Sequence, residues 1–263
     1  MKLSLIEKRI LDQLKEHLSV IAAGHPVAKI GESYEETELC FQAIACCKIL
    51  GSVDKASFQR YLFWSGLTRR YFLHRSQGEG SSGNFRCARS RSEGFFCAVA
   101  AGDIPLALEI GALSPMDWVQ KGEYEDDFIY HLFLFLVLSG ADAAKRKDTL
   151  ERFERVLEGE SSTRFAVCQA LMTGAADTFA EAFRELCEQH AAEQLEERAR
   201  FADVRTFEPR SRIFTEGFAL MRIAESTGLR LPKHPYALCP EVGRVGPLHR
   251  RPDDLFAEMA NIQ

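Results

Sequence analysis

Phe128-Ile129-Tyr130-His131-Leu132-Phe133-Leu134-Phe135-Leu136-Val137-Leu138 is the most hydrophobic stretch of this chain. It is far short of the ~20 residues needed to span a bilayer. Acidic residues Glu123, Glu125, Asp126 and Asp127 precede it, and Ser139-Gly140 follows. Carboxylates at one end and a glycine at the other bracket a helix: the acids complement its N-terminal dipole and the glycine closes it. A helix apolar on every side belongs in the centre of a core. The spacing therefore predicts a buried helix with Phe128, Leu132, Phe135 and Leu136 in the core. A lone His131 on such a helix reads as a hydrogen-bonded core residue rather than a ligand.

The same punctuation recurs on both sides. Gly140-Ala141-Asp142 follows the core run, Gly174-Ala175-Ala176-Asp177 follows VCQALMT, Gly102-Asp103 follows FFCAVAA, and Gly51-Ser52-Val53-Asp54 separates two earlier helical runs. Each unit reads as an apolar helix, a glycine in the left-handed conformation, an aspartate cap, and an amphipathic helix. The last two glycines lie about 34 residues apart, a spacing found in helical-hairpin arrays; the earlier ones are less regular. Leu3, Ile6, Ile10, Leu14, Leu18 and Ile21 predict a first helix over 3–23, stopped by Gly24 and Pro26. Glu32, Glu35, Glu36 and Glu38 predict the opening of a second helix running to Gly51. Arg212–Thr227 reads as a helix ended by Gly228. Residues 76–84, SQGEGSSGN, have the composition of a mobile loop that could order on binding a partner. Pro232, Pro235, Pro240, Pro247 and Pro252 predict an extended segment wrapped on the body before a short last helix from Pro252 or Asp253. Alternating β-branched runs, the signature of strands, do not occur.

Composition supports a packed helical protein. Of 263 residues 46% are hydrophobic and 27% charged, which excludes wholesale disorder. The 19 Phe against 6 Tyr and 2 Trp supply large anchors with no polar tip to satisfy. A net charge of -5 argues against a general nucleic-acid binder, which needs a basic stripe. The eight cysteines form no C-x-x-C pair and several sit within apolar helical runs, so reduced, buried thiols and a cytoplasmic location are expected. Glu7, Lys8, Arg9, Asp12, Lys15 and Glu16 interrupt any apolar signal-peptide region.

Motifs of chemistry are missing. There is no G-x-x-x-x-G-K-[ST], and Gly78, Gly80 and Gly83 lack the lysine and the preceding strand that would cradle a phosphate. H-E-x-x-H, E-x-x-H and G-x-S-x-G are absent, and Trp64-Ser65-Gly66 is no nucleophile elbow. Adjacent Asp126 and Asp127 do not face each other as an acid–base pair would. His190 and Glu193 read as an ordinary surface pair. Arg69, Arg70 and Arg75 follow the aromatic set Tyr61, Phe63, Trp64, Tyr71 and Phe72, and Arg86, Arg89 and Arg91 follow the glycine-rich loop. Arginines with aromatics can grip single-stranded nucleic acid. The favoured reading packs the aromatics inward and leaves the arginines to solvate the other face.

Four segments taken in order resemble a known family: Tyr61-Leu62-Phe63-Trp64-Ser65-Gly66-Leu67; Tyr130-His131-Leu132 followed by Leu136-Val137-Leu138-Ser139-Gly140; the hairpin from Cys168-Gln169-Ala170-Leu171 to Phe179, Ala182 and Phe183; and Glu216-Gly217-Phe218-Ala219-Leu220, closing at Gly228-Leu229 before Pro232. This layout is similar to that of the all-helical immunity proteins of bacterial polymorphic toxin systems, in particular the group called immunity protein 49. The resemblance covers roughly residues 30–240 and rests on layout and apolar pattern, not on a catalytic motif. It implies a cytoplasmic antitoxin that binds and blocks a cognate secreted effector. It implies neither the effector's activity nor the contact residues.

The resulting expectation is an all-α fold, an irregular stack of helical hairpins with an extended Pro-rich C-terminal segment. Residues 1–263 form one helical domain, with 1–75 a candidate N-terminal subdomain. The expected function is non-enzymatic neutralisation of a toxin or effector protein, which could be a nuclease; the rival is a helical-repeat adaptor or scaffold, and a helical enzyme or nucleic-acid binder comes third. No cofactor, no metal, no nucleic acid and no membrane are expected as partners. Lys121-Gly122-Glu123-Tyr124-Glu125-Asp126-Asp127 places an aromatic inside an acidic run, so Glu123, Tyr124, Glu125 and Asp126 are the first candidates for partner contact. The rival reading of those charges is a simple helix N-terminus.

Overall fold

The computed structural model describes residues 3–231 and 234–257. Among the described residues eleven α-helices follow one another: α1 (Leu3–Ala22), α2 (Val27–Ser52), α3 (Lys55–Gly78), α4 (Glu93–Ala101), α5 (Ile104–Leu113), α6 (Glu125–Leu138), α7 (Ala143–Leu157), α8 (Thr163–Thr173), α9 (Ala176–Arg200), the single turn α10 (Phe207–Arg210) and α11 (Thr215–Ser226). Among the described residues there is no strand, only an isolated bridge between Tyr236 and Cys239. The fold is all-α. No described helix is long and apolar enough to cross a membrane.

Predicted punctuation accounts for most of the turns. Asp54, Asp103 and Asp142 each accept a hydrogen bond from the backbone N–H three residues on, at 3.0, 3.0 and 2.8 Å. Gly102, at φ +84°, ends α4 in the left-handed region, and a Cβ there would lie 2.9 Å from the backbone of residues 246–248. Both the turn and the close approach of the C-terminal segment therefore require glycine. Two details differ from the expectation. Val53, not Gly51, is the left-handed residue that ends α2, at φ 55°. Asp177 lies inside the first turn of α9, whose cap is Ala175.

The buried helix is α6. Phe128, Ile129, Tyr130, Phe133 and Leu134 are fully buried, Leu132 and Leu136 are buried, and Phe135 is partly buried against Gly111 and the Arg89 guanidinium. One apolar core joins Phe58 and Phe72 of α3 to Phe96, Phe128, Phe183 and Phe218, and so runs unbroken across residue 75. A second cluster, with Ile6, Ile10, Leu14, Phe41 and Ile44, fills the α1–α2 interface. Hairpins α6–α7 and α8–α9 pack one on the other, while α4 lies between α3 and α11.

Several readings are corrected. Helix α2 begins at Val27 straight after Pro26, so Glu32, Glu35, Glu36 and Glu38 sit in its body and not at its start. Proline fixes the backbone for a helix entry, and that signal outweighs the acids. Glu35 pairs with Arg86 and Arg91, Glu36 accepts from Gln13, and Glu38 is buried. Ser76, Gln77 and Gly78 of the supposed loop belong to α3, and Ser76 is buried. Glu79 then accepts the Val27 N–H at 2.7 Å and pairs with Arg75 at 2.6 Å, which fastens the turn. Arg212–Phe214 precede α11 in a turn, so that helix starts at Thr215. Arg69, Arg75 and Arg89 do not solvate a surface: they are 1%, 7% and 2% exposed.

Buried arginines replace strands as the organisers of the irregular region. The Arg69 guanidinium donates to the carbonyls of Arg86 (2.8 Å) and Ala88 (3.0 Å). Arg89 donates to the carbonyls of Pro115, Gly111 and Ser114 at 2.9, 2.9 and 3.1 Å. A planar guanidinium offers five donors in fixed directions, so one side chain satisfies carbonyls that no helix can. Gly94 lies so close to the Arg69 side chain that an added Cβ would collide with it.

Described residues between 245 and 256 lie against α3, α11 and the turn between α4 and α5. Gln59 donates to the Gly246 carbonyl (2.8 Å), Arg222 to that of Val245 (2.5 Å) and Trp64 Nε1 to that of Asp253 (3.1 Å). Arg251 forks onto both oxygens of Asp103, and Phe256 stacks on Tyr71 at 4.6 Å. Pro232 lies outside the described residues. Residues 252–254 are not helical, and any last helix beyond 257 is also outside them.

Candidate functional site

Residues 121–127 were singled out by an aromatic set among acids, and the structure gives those acids unequal tasks. Glu123 is committed internally: its carboxylate accepts the N–H groups of Ser90 (2.8 Å) and Val119 (3.2 Å), and its carbonyl accepts Trp118 Nε1 (3.0 Å). Glu125 opens α6 and pairs with Arg152 at 2.5 Å, whose guanidinium also lies over the Phe128 ring. Asp127 pairs with Arg164 at 2.7 Å. Burial pushes the Asp127 carboxyl up despite that arginine. Tyr124 is 79% exposed, and neither its side chain nor that of Asp126 makes a hydrogen bond or ion pair among the described residues. A shallow trough bordered by Ser90, Arg91, Trp118, Lys121 and Val156 brings all four predicted residues together.

Asp126 also belongs to a second, larger groove, and so joins the patch to it. Helix α9 forms one wall. The near half is bounded by α6, the 160–163 turn and α8, and carries Asp126, Glu160, Glu185 and Glu193. At His190, Phe214 and Glu216 it meets a far half bounded by α2, the start of α4, α10 and the start of α11. The far half is lined by Glu36, Glu93 and Glu197 together with the apolar Leu39, Phe201 and Val204. Two cations line the groove, and both are already engaged. Arg164 pairs with Asp127 and Glu216, and its pKa is raised chiefly by Glu216. Arg210 donates to Gln42 Oε1 (3.2 Å) and to the Thr206 carbonyl (3.2 Å).

Two histidines take different roles. His131 is buried against Phe96 and Tyr130, with Nδ1 2.8 Å from the Asp127 carbonyl; desolvation pushes its pKa down to about 3 and keeps it neutral. It is a core residue. His190 is not a surface partner of Glu193. Its ring stacks on Phe214 at 4.0 Å, burial lowers its pKa, and it forms the saddle between the two halves of the groove. Glu193 instead accepts from Gln189.

The groove was not legible in the sequence. Glu185, Glu193 and Glu197 lie on one helix within an arc of about 120°, which keeps them on one side; acids opposite come from α2, α4 and α6 and have no sequence relation to them. Among the described residues no group of three or more His, Cys, Asp or Glu is placed to hold a metal ion. All eight cysteines are buried and free, with burial pushing Cys40, Cys46 and Cys47 up to about 12.

Comparison of this chain with family models, curated proteins and solved structures finds no match.

Proposed function

We propose that this protein is a cytoplasmic immunity protein that binds a cognate toxin and neutralises it without catalysis of its own. The observation that carries the reading is the joined acidic face: a half-open groove lined by carboxylates, continuous through Asp126 with a patch that exposes Tyr124. Effectors that attack nucleic acid hold phosphates with basic clefts. Carboxylates set against such a cleft raise the association rate and select the partner. An exposed tyrosine on a firmly hydrogen-bonded turn is the kind of anchor that dominates interface energy. Tight one-to-one binding needs ~800 Å² per partner, and a face spanning α2, α6 and α8 to α11 can supply it.

A helical-repeat adaptor would line its groove with corresponding residues of successive hairpins. Here the lining comes from unlike elements, with α2 and the start of α4 facing the end of α9, which favours a surface shaped for one partner. The test is co-expression with the product of the adjacent gene in a bacterial host, followed by direct binding of the two purified proteins. Survival of the host and a one-to-one complex support the reading. Toxicity that persists despite equal expression, with no complex formed, refutes it.

A further inference from the structure

We infer that the far half of the acidic groove is a receptor for an extended, arginine-bearing segment of a protein partner. This rests on the protein-binding reading above but not on the identity of the toxin. Three features converge on the occupant. Carboxylates are spread along the walls: Glu36 on α2, Glu93 at the start of α4 and Glu197 on α9. Because no three acidic or nitrogen ligands converge closely enough for a metal among the described residues, a single ion would leave most of this charge uncompensated. A row of side-chain cations would not.

The apolar part of the lining supplies the second feature. Leu39, Phe201 and Val204 line the same half of the groove as the acids, and Val204 is 44% exposed. An arginine lays its methylene stem on such a surface while its head reaches the rim. A guanidinium also stacks on aromatic faces and forks onto carboxylates, which an ammonium does less well. The chain already uses this pairing, with Arg152 held by Glu125 over the Phe128 ring and Arg164 held by Asp127 over the Tyr130 ring. The third feature is that the resident cations are spent. Arg210 is held by Gln42 and Thr206, and Arg164 by Asp127 and Glu216, so neither neutralises Glu36, Glu93 or Glu197 by an ion pair. His190 adds no charge near neutral pH, since burial against Phe214 favours its neutral ring.

The probe is a fluorescein-labelled hexa-arginine peptide, titrated with the full chain by fluorescence anisotropy at two salt concentrations. Spermine and a hexa-lysine peptide serve as competitors. Binding that weakens with salt is expected, with hexa-lysine displacing the probe less well than unlabelled hexa-arginine and spermine less well still. The triple variant Glu36→Gln, Glu93→Gln, Glu197→Gln should bind about tenfold more weakly or worse, since an exposed ion pair contributes up to about a factor of five. Glu197→Lys alone, on the rim of α9, should weaken binding in the same direction and guards against a triple variant that fails to fold. Equal affinity of folded variants and wild type overturns the inference. So does spermine competing as well as hexa-arginine, which would mark a non-specific sink for polycations. The toxin takes no part in this assay, so its failure leaves the co-expression result standing, and the reverse also holds.

Discussion

Replacing Glu38 by glutamine is expected to stabilise this protein in alkaline solution and to leave it unchanged in acid. Glu38 is 4% exposed on α2, and one of its carboxylate oxygens, Oε1, is buried without a hydrogen-bond partner. Desolvation pushes its pKa from 4.5 up to about 8; Arg69 opposes the rise and Glu93 adds to it. Arg69 does not win because its terminal nitrogens are spent on the carbonyls of Arg86 and Ala88, and it forms no ion pair with Glu38. A carboxyl that keeps its proton to higher pH in the folded than in the unfolded chain weakens the fold as pH rises between the two values. The contribution of Glu38 is therefore constant below about pH 4.5, falls through the range up to about pH 8, and is level above it. At ~1.4 kcal/mol per unit, the full difference has an upper limit of about 5 kcal/mol. That is a large share of the ~5–15 kcal/mol that holds a domain folded. Glutamine has the same shape and no charge to desolvate. Urea unfolding followed by circular dichroism at pH 5, 7 and 9 measures the effect, because every other titrating group is common to both proteins. The expected difference is no more than about 1 kcal/mol at pH 5 and about 2–5 kcal/mol in favour of the variant at pH 9. A variant no more stable than wild type at pH 9 refutes the reasoning and makes Glu38 an ionised partner of Arg69.

Other outcomes follow from the packing. Arg89→Met leaves the carbonyls of Gly111, Ser114 and Pro115 without donors and should cost about 3 kcal/mol in urea unfolding. Asp103→Ala removes both the cap of α5 and the fork to Arg251; a loss of about 1–2 kcal/mol is expected, with faster tryptic cleavage after Arg250. Tyr124→Ala should change stability by no more than about 0.5 kcal/mol, given 79% exposure, while weakening capture of the adjacent gene's product. The eight buried thiols should be silent to a disulfide-exchange reagent in the native state at pH 8 and should all react in denaturant.

What the sequence made legible is what neighbours along the chain decide. The apolar run of α6, the aspartate caps at 54, 103 and 142, and the left-handed Gly102 all depend on a few consecutive residues. Their physics is helical period, one side-chain hydrogen bond and one torsion angle. Glu123, Tyr124, Glu125 and Asp126 were chosen as candidates for the same reason, since one short segment holds them all.

The misreadings concern charged groups whose partners lie far along the chain. Arg69 and Arg89 look solvated in sequence because arginine is rarely buried unpaired. Their partners are carbonyls of irregular backbone at 86–88 and 111–115, and nothing local shows that those carbonyls lack helical donors. Burying an arginine is costly until such carbonyls surround it, and leaving the carbonyls unmet is costly too. Each problem answers the other, and only the assembled fold brings them together. The same holds in reverse at the groove. Glu36, Glu93 and Glu197 come from three separate helices, and each alone reads as a solvated face. Tertiary packing collects their charge on one side of α9 while the neighbouring arginines are drawn into internal pairs. A net charge of -5 spread over 263 residues is modest; the gathering of carboxylates in a half-open groove that also has apolar lining gives it a direction, and that direction is towards a cationic partner.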